Sequence, residues 1–271
     1  MQKQLQKTFL TLITGLLLSS GLANAQEDPK PTAAVETNSA NTELLNLAGK
    51  QRMLSQRIAK NYFYKGMGVN TTKSKKQLDE SLAQFNQTLK KLDGEVQNKK
   101  IKKMIMFINL SNDDFMSMSS EDYSLENGAL VLDLSESMLE GSQYIVKALK
   151  ENSKQHSSEL VDLAGKQRML SQRIAKYYIS YQAGIKDKNS IVQMNEAVKK
   201  FTEAQKKLMN NKTNSAEINA ALQKVDKLWK VVYDFYLDIE EGGLPVIVYN
   251  TTDDIMKEMN RVTNMYVKLQ K

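Results

Sequence analysis

The stretch LAGKQRMLSQRIAK occupies residues 47–60 and recurs, letter for letter, at residues 163–176, an offset of 116 residues. Fourteen identical residues in a chain of 271 indicate a tandem duplication. Matches at the same offset continue outside the stretch, for example Phe85 with Phe201. The duplication therefore covers two whole units of roughly 110 residues each. We call the repeated stretch the box.

Apolar residues in and before the first box recur at helical spacing and lie on one face: Leu44, Leu47, Leu54 and Ile58. This pattern predicts an amphipathic helix that ends near residue 64. Similar patterns predict further helices near residues 72–92, 97–118, 125–150, 158–182, 190–209, 215–240 and 244–269. Strand signals are lacking. The sequence therefore predicts an all-α fold made of two tandem up-down four-helix bundles.

The N-terminal segment has the pattern of a secretory signal peptide. Lys3 and Lys7 precede an apolar run at residues 9–18, and a small-x-small site follows at residues 23–25. The apolar run is shorter than the roughly 20 residues needed to cross a bilayer. The predicted boundaries are a cleaved signal peptide at 1–25, a flexible linker at 26–41, the first bundle at 42–151 and the second at 158–271. We expect an exported, soluble protein of the periplasm or the cell exterior.

Composition argues against several classes of function. The chain has no cysteine and a single histidine, His156, in the segment between the two copies. This excludes disulfides, cysteine nucleophiles and thiolate metal sites, and it leaves no multi-histidine site. The net charge of +7 is spread along helices among acidic residues, which is typical of solvated helix faces rather than of a nucleic-acid interface. We expect no enzyme, no cofactor or metal, and no nucleic-acid partner.

A second stripe of the box helix carries the candidate chemistry. Gly49, Arg52, Gln56 and Ala59 lie on a helical wheel well away from the apolar face. Small residues allow another helix to approach closely. If the stripes of the two copies meet, Arg52 and Arg168 point toward each other, and an anion between them would relieve their repulsion and the cost of burying them. A planar guanidinium suits a trigonal oxyanion or a carboxylate.

The alternative for any one of these arginines is a surface ion pair with a neighbouring helix. We expect salt bridges or a solvated flank for Arg57 and Arg173, which lie roughly 140° around the helix from the first box arginine. For Arg52 and Arg168, identity of all fourteen box residues favours a functional role, because a core stripe alone would tolerate exchanges among Leu, Ile and Met.

The segment AGKQRMLSQRI resembles the first-helix box of the PilJ/NarX-type periplasmic sensor domain. That domain is found in type IV pilus chemotaxis transducers and in nitrate/nitrite sensor kinases. The resemblance implies four-helix bundles that dimerise through the first helix. In the nitrate sensors it implies an anion held by the first box arginine of each protomer. The candidate ligand-binding residues are therefore Arg52, Arg168, Gly49, Gly165, Gln56 and Gln172.

Two departures from the family pattern bear on ligand and partner. Nitrate sensors have a lysine two residues before the box glycine, where this chain has Leu47 and Leu163. The box therefore looks more like the pilus-transducer version, whose ligand the resemblance does not identify. No membrane helix, HAMP segment or signalling module follows the second copy in this sequence. The expected partner is thus a separate transmembrane chemoreceptor or sensor kinase.

Two functions remain open from the sequence. The first is an exported sensor-type protein that binds a small oxyanion, such as nitrate or nitrite, between Arg52 and Arg168. The two arginines would meet in an intramolecular pseudo-dimer or in a homodimer. The second is a structural or partner-binding module without a ligand, which docks on a membrane transducer through the same helices. In that case, substitution of Gly49 or Gly165 by a bulky residue would abolish binding of the partner.

Overall fold

A computed structural model describes the backbone of residues 33–151 and 157–269. The predicted signal peptide and His156 lie outside these ranges. The described residues form eight α-helices, one short 3-10 helix and no strand, which confirms the predicted all-α class. The α-helices are α1 (Ala33–Gly66), α2 (Thr71–Glu95), α3 (Lys99–Ser120), α4 (Leu125–Glu151), α5 (Ser157–Gln182), α6 (Lys188–Met209), α7 (Ala216–Leu237) and α8 (Pro245–Lys268).

Two helix boundaries differ from the predicted ones. Helix α1 begins at Ala33, inside the segment predicted as a linker. Helix α2 does not end near residue 92 as predicted but continues through Asp93 and Gly94 to Glu95. A glycine in a helix costs only about 1 kcal/mol, and the buried side chain of Val96 holds the chain against the core just after the helix ends.

Local sequence explains most of the other helix starts. Asn98 begins α3 by accepting hydrogen bonds from the backbone N–H groups of Lys100 and Ile101. Asp187 and Ser215 cap α6 and α7 in the same way. Pro245 occupies the first turn of α8, where a missing N–H is tolerated. The connections that lead into these four helices are consequently short.

The helices are arranged around the two box helices. Helix α1 packs against α2 and α4, and α5 packs in the same way against α6 and α8. In each half the third helix packs against the fourth. The most extensive contact in the described part of the chain joins α1 to α5. The two box helices therefore pair within one chain, and all eight helices belong to one compact unit.

Equivalent box residues make equivalent contacts in the two halves. The amide of Gln51 donates to the carbonyl oxygen of Phe85, and that of Gln167 donates to Phe201, each at 3.0 Å. Every side chain of residues 51–60 is buried. The box is thus the shared core of both halves, which explains why substitutions in it would disturb several helices at once.

Buried ion pairs connect each box helix to the last helix of the other half. Lys60 on α1 binds Asp253 on α8 at 2.6 Å, with both side chains fully buried. In the other half, Lys176 and Arg173 on α5 both bind Glu136 on α4. Glu136 and Asp253 occupy equivalent places. These cross-connections tie the two halves together by charge as well as by apolar packing.

The contribution of Glu136 to the stability of the fold should be measurable at acidic pH. Burial alone would raise its pKa, but Lys176 and Arg173 lower the pKa to about 2. A carboxyl whose pKa is lowered by folding stabilises the protein above its unfolded pKa, and that stability is lost as pH falls toward the folded pKa. We expect the melting temperature to fall between about pH 5 and pH 2, where other paired carboxylates titrate as well.

The Glu136 contribution to this loss is at most about 3 kcal/mol. It can be isolated by comparing proton uptake on unfolding in the wild type and in Glu136→Gln. The exposed Glu196, which pairs only with Lys200 on its own helix, supplies the control variant Glu196→Gln. Unchanged proton uptake in Glu136→Gln would contradict the assignment.

None of the described helices is both long and apolar enough to cross a membrane.

Candidate anion-binding site

The guanidinium groups of Arg52 and Arg168 meet where α1 crosses α5. A Cβ atom placed on Gly49 would lie 3.4 Å from Arg52 Nη2 and 3.3 Å from Arg168 Nη2. A Cβ atom on Gly165 would lie 3.4 Å from both Nη2 atoms. The two Nη2 atoms are therefore at most 6.7 Å apart, the sum of the first two distances. Absence of a side chain at both glycines leaves room for the guanidiniums at the helix crossing.

Arg52 has a carboxylate partner. Its Nη2 donates to Oδ1 of Asp162 at 2.9 Å, and its Nη1 donates to Oε1 of Gln143 at 3.1 Å. The other oxygen of Asp162 lies 2.9 Å from the amine of Lys150 and 3.4 Å from that of Lys166. Three cations thus share one carboxylate, whose side chain is only 4% exposed.

Arg168 is as deeply buried as Arg52, but its partners are neutral. Its Nη1 donates to Oδ1 of Asn260 at 2.8 Å, and its Nη2 donates to Oδ1 of Asn46 at 2.9 Å. Among the residues that the structure describes, no carboxylate lies within ion-pair distance of Arg168. The guanidinium, 1% exposed, is therefore a buried cation without a counter-charge.

The difference between the two arginines arises from one pair of equivalent positions. Asn46 and Asp162 each stand immediately before the box and are related by the same offset of 116 residues. Each contacts the arginine of the opposite copy. The substitution of asparagine for aspartate in one copy breaks the symmetry of the site. Two buried guanidiniums consequently face one buried carboxylate.

The pKa shifts follow this distribution of charge. Burial, followed by the nearby Arg52, lowers the pKa of Arg168 to about 9, so the group remains protonated at neutral pH. Burial alone would raise the pKa of Asp162, but Arg52 and the neighbouring lysines hold it below its usual value. Burial and the charge of Arg168 lower the pKa of Lys50. The field around Arg168 is therefore positive, which favours an anion.

Several polar atoms of the site have no partner. The Nε atoms of both Arg52 and Arg168 are buried without a hydrogen bond, and unpaired buried donors are costly. The predicted site residues Gln56 and Gln172 are buried nearby on the same helices. Their amide nitrogens donate to the carbonyl oxygens of Ser135 and Thr252. These two glutamines therefore hold α4 and α8 against the box helices, and a direct ligand contact for them stays a prediction.

Solvent reaches one side of the cluster through a pocket of about 530 Å³. Arg52, Asp162 and Gln143 line this pocket. The other charged lining residues are Lys147, Lys150, Lys166 and Glu151, so the lining carries a net positive charge. Arg168 does not line the pocket, so an anion that enters here would reach the carboxylate-paired arginine first.

Sequence reasoning found the two arginines and the two glycines, which the structure brings together. It missed their partners: Asn46, Gln143, Asp162 and Asn260. The Asn/Asp difference directly before the two boxes could have been read by aligning the copies. The partner side chains on α4 and α8 could not have been identified in this way, because nothing in the sequence shows which turn of those helices faces the box.

The second pair of box arginines behaves differently in the two halves. Arg173 forms the predicted salt bridge, with Nη2 at 2.6 Å from Glu136 Oε2. Arg57 is 9% exposed, so a solvated flank is wrong for this residue.

The fold and this cluster define an all-α domain in which two box helices pair through glycine and arginine. The chain belongs to the PilJ family, described as the type IV pili methyl-accepting chemotaxis transducer N-terminal domain, whose family model matches residues 33–102 and 151–234. Each match covers the beginning of one repeat. No curated protein and no solved structure matches the chain. The NarX-type part of the resemblance stays a prediction.

Proposed function

We propose that this chain is an exported sensor-type module that binds a small oxyanion, of the nitrate or nitrite kind, between Arg52 and Arg168. It would bind its ligand without catalysing a reaction and would pass the signal to a separate transmembrane chemoreceptor or sensor kinase. Membership of the PilJ family supports the sensor class. The single observation that supports the ligand is the buried guanidinium of Arg168, which has only neutral partners.

The charge of the cluster defines the kind of ligand that fits. The two buried guanidiniums and Asp162 together carry one net positive charge, and the partly exposed Lys150 and Lys166 add to it from the solvent side. A monoanion would neutralise the buried part of this charge, whereas a dianion would bring a second negative charge close to Asp162. Planar oxygens can accept from forked guanidinium donors, and the two Nε–H groups are further donors without partners. A small, planar monoanion therefore matches both the charge and the hydrogen-bonding capacity.

The alternative, a ligand-free docking module, receives less support from the geometry. The box side chains are covered by helices of the same chain, and Gly49 and Gly165 are in contact with the arginines. A second protein could bind these residues only if α1 and α5 first separated. A signalling partner would therefore contact another surface of the domain.

Thermal unfolding tests the proposal. At constant ionic strength, a ligand that binds only the folded state at 100 times its Kd stabilises by about 2.7 kcal/mol, or roughly 5–10 °C in a domain of this size. We expect nitrate, nitrite or another small monoanion to raise the melting temperature relative to chloride. The rise should vanish in Arg52→Ala combined with Arg168→Ala.

Arg261→Ala provides the matched control, because Arg261 is exposed and pairs with Glu217 and Glu258 on the surface. This variant should retain the full response. A panel of small anions without effect, or a response that survives loss of both buried arginines, would refute the proposed ligand class.

A further inference from the structure

The outer face of α3 has an unusual order of residues. Its first turns carry the lysines Lys99, Lys100 and Lys103, and its later turns carry the acids Asp113 and Asp114. Between them, three large apolar side chains are exposed to solvent: Met106 (67%), Phe107 (47%) and Leu110 (68%). From the start to the end of the helix, this face is therefore first basic, then apolar and then acidic.

The other half of the molecule serves as an internal reference for this face. Helix α7 is the equivalent of α3, and its buried residues Ile218, Val225 and Val232 align with Ile101, Ile108 and Phe115 at an offset of 117 residues. At the positions of Met106, Phe107 and Leu110, α7 has Gln223, Lys224 and Lys227. The fold thus does not require apolar residues at these exposed positions, and only α3 has them.

We propose that the outer face of α3 is a dimerisation surface that pairs with α3 of a second copy of this chain. A two-fold axis near Ile108 would place the two helices antiparallel. Met106 would then lie opposite Leu110 of the second copy, and Lys103 would lie opposite Asp113 and Asp114. Met106 and Leu110 thus meet apolar partners and Lys103 meets an acid, so this part of the surface is complementary to itself.

The same pairing is unfavourable for α7. Its equivalent face has Gln223, Lys224 and Lys227 in place of the three apolar residues, so an antiparallel pair would bury no apolar centre and would bring Lys227 near Lys227 of the second copy. A single helix face is smaller than a standard interface of about 1,600 Å². The α3 dimer should therefore be weak, reversible and dependent on concentration. It is separate from the arginine cluster, so failure of the anion proposal would not affect it.

The first test is sedimentation equilibrium of the protein over a wide concentration range. We expect a monomer–dimer equilibrium for the wild type. Lys103→Glu should weaken the dimer at least tenfold, because it sets acid against acid. Adding Asp113→Lys and Asp114→Lys to that variant exchanges the charges on both copies and should restore the dimer. Lys227→Glu on α7 is the matched control and should leave the equilibrium unchanged.

Chemical cross-linking tests the register independently. The chain has no cysteine, so an introduced one is unique. Packed helix axes lie roughly 8–10 Å apart, and Asn109→Cys, close to the two-fold axis, should be joined to its counterpart by a bismaleimide of about that reach. Ser117→Cys would be separated along the helix from its counterpart by about 27 Å and should not react in this way.

A chain that stays monomeric at all concentrations would overturn the proposal, as would cross-linking of Ser117→Cys as efficiently as Asn109→Cys. Co-sedimentation of the monomer with anionic lipid vesicles through Met106 and Leu110 would assign the surface to a membrane instead. Circular dichroism of each variant separates loss of the dimer from loss of the fold.

Discussion

Arg52→Met and Arg168→Met are expected to differ strongly in stability, although the two residues occupy equivalent places in identical stretches of sequence. Loss of Arg52 removes the main partner of the buried Asp162. Loss of one member of a buried pair is destabilising by roughly 3–5 kcal/mol. Lys150 and Lys166 remain near the carboxylate, so we expect a free energy of unfolding lower by about 2–3 kcal/mol.

Loss of Arg168 has a different consequence, because no carboxylate depends on it. The variant removes a buried cation without a counter-charge and replaces it with an apolar side chain. Such replacements are often neutral or stabilising. The amide oxygens of Asn46 and Asn260 lose a donor, which offsets part of the gain. In the absence of anion we expect stability to be unchanged or higher by up to about 2 kcal/mol.

Urea unfolding in a buffer of chloride, without oxyanions, provides the measurement, and the difference between the two variants is the decisive quantity. Arg261→Met controls for the general effect of removing an arginine from a helix. Equal destabilisation by Arg52→Met and Arg168→Met would mean that Arg168 is neutralised within the folded chain, and the assignment of an uncompensated charge would be wrong.

Exchanging the residues before the two boxes should shift the anion affinity in opposite directions. Asn46→Asp places a carboxylate at 2.9 Å from Arg168, at the site of the present amide oxygen. This carboxylate would neutralise the guanidinium. We expect a more stable protein without ligand and anion binding weakened at least tenfold, which corresponds to about 1.4 kcal/mol.

Asp162→Asn places an asparagine beside each arginine and leaves two buried guanidiniums without a carboxylate. The protein without ligand should be less stable, because the repulsion between Arg52 and Arg168 is then unscreened. Anion binding should be at least tenfold tighter, since the ligand supplies the missing charge to both groups. Stability should also depend much more on the anion present in the buffer.

Isothermal titration with the best anion from the thermal screen, together with melting in its absence, measures both effects. The double variant that exchanges the residues, Asn46→Asp with Asp162→Asn, is the matched control. It conserves the total charge and moves the carboxylate to the other arginine, so its affinity should lie between those of the two single variants. Equal affinities in both single variants would show that the anion does not bind at this cluster.

The helices could be predicted from sequence because their signals are local. Apolar residues at helical spacing, together with residues such as Asn98 and Ser215 before the helices, act within a few turns. The early start of α1 and the continuation of α2 through Gly94 escaped the prediction. The continuation of α2 follows from packing, because Leu92 and Val96 are buried on either side of Gly94, and a single glycine is too weak a signal to end such a helix.

The candidate site could be predicted only in part. The helical wheel placed Gly49 and Arg52 on one stripe, and the exact repeat predicted that Arg168 shares their site. The partners of the arginines come from residues about 90 to 120 positions away, such as Gln143 and Asn46. The ion pairs of Lys60 and Lys176 likewise connect opposite halves. Sequence spacing alone does not specify such distant pairings.

The sequence by itself determined the duplication, the all-α class and the stripe on which Gly49 and Arg52 lie, because each follows from identity or periodicity within a short stretch. Only the tertiary structure decided that α1 and α5 pair inside one chain, and that Arg168 is left beside Asn46 while Arg52 is paired with Asp162. The reason is physical. Two identical boxes have the same local preferences, but the charge at each arginine is set by the side chains that distant helices place around it.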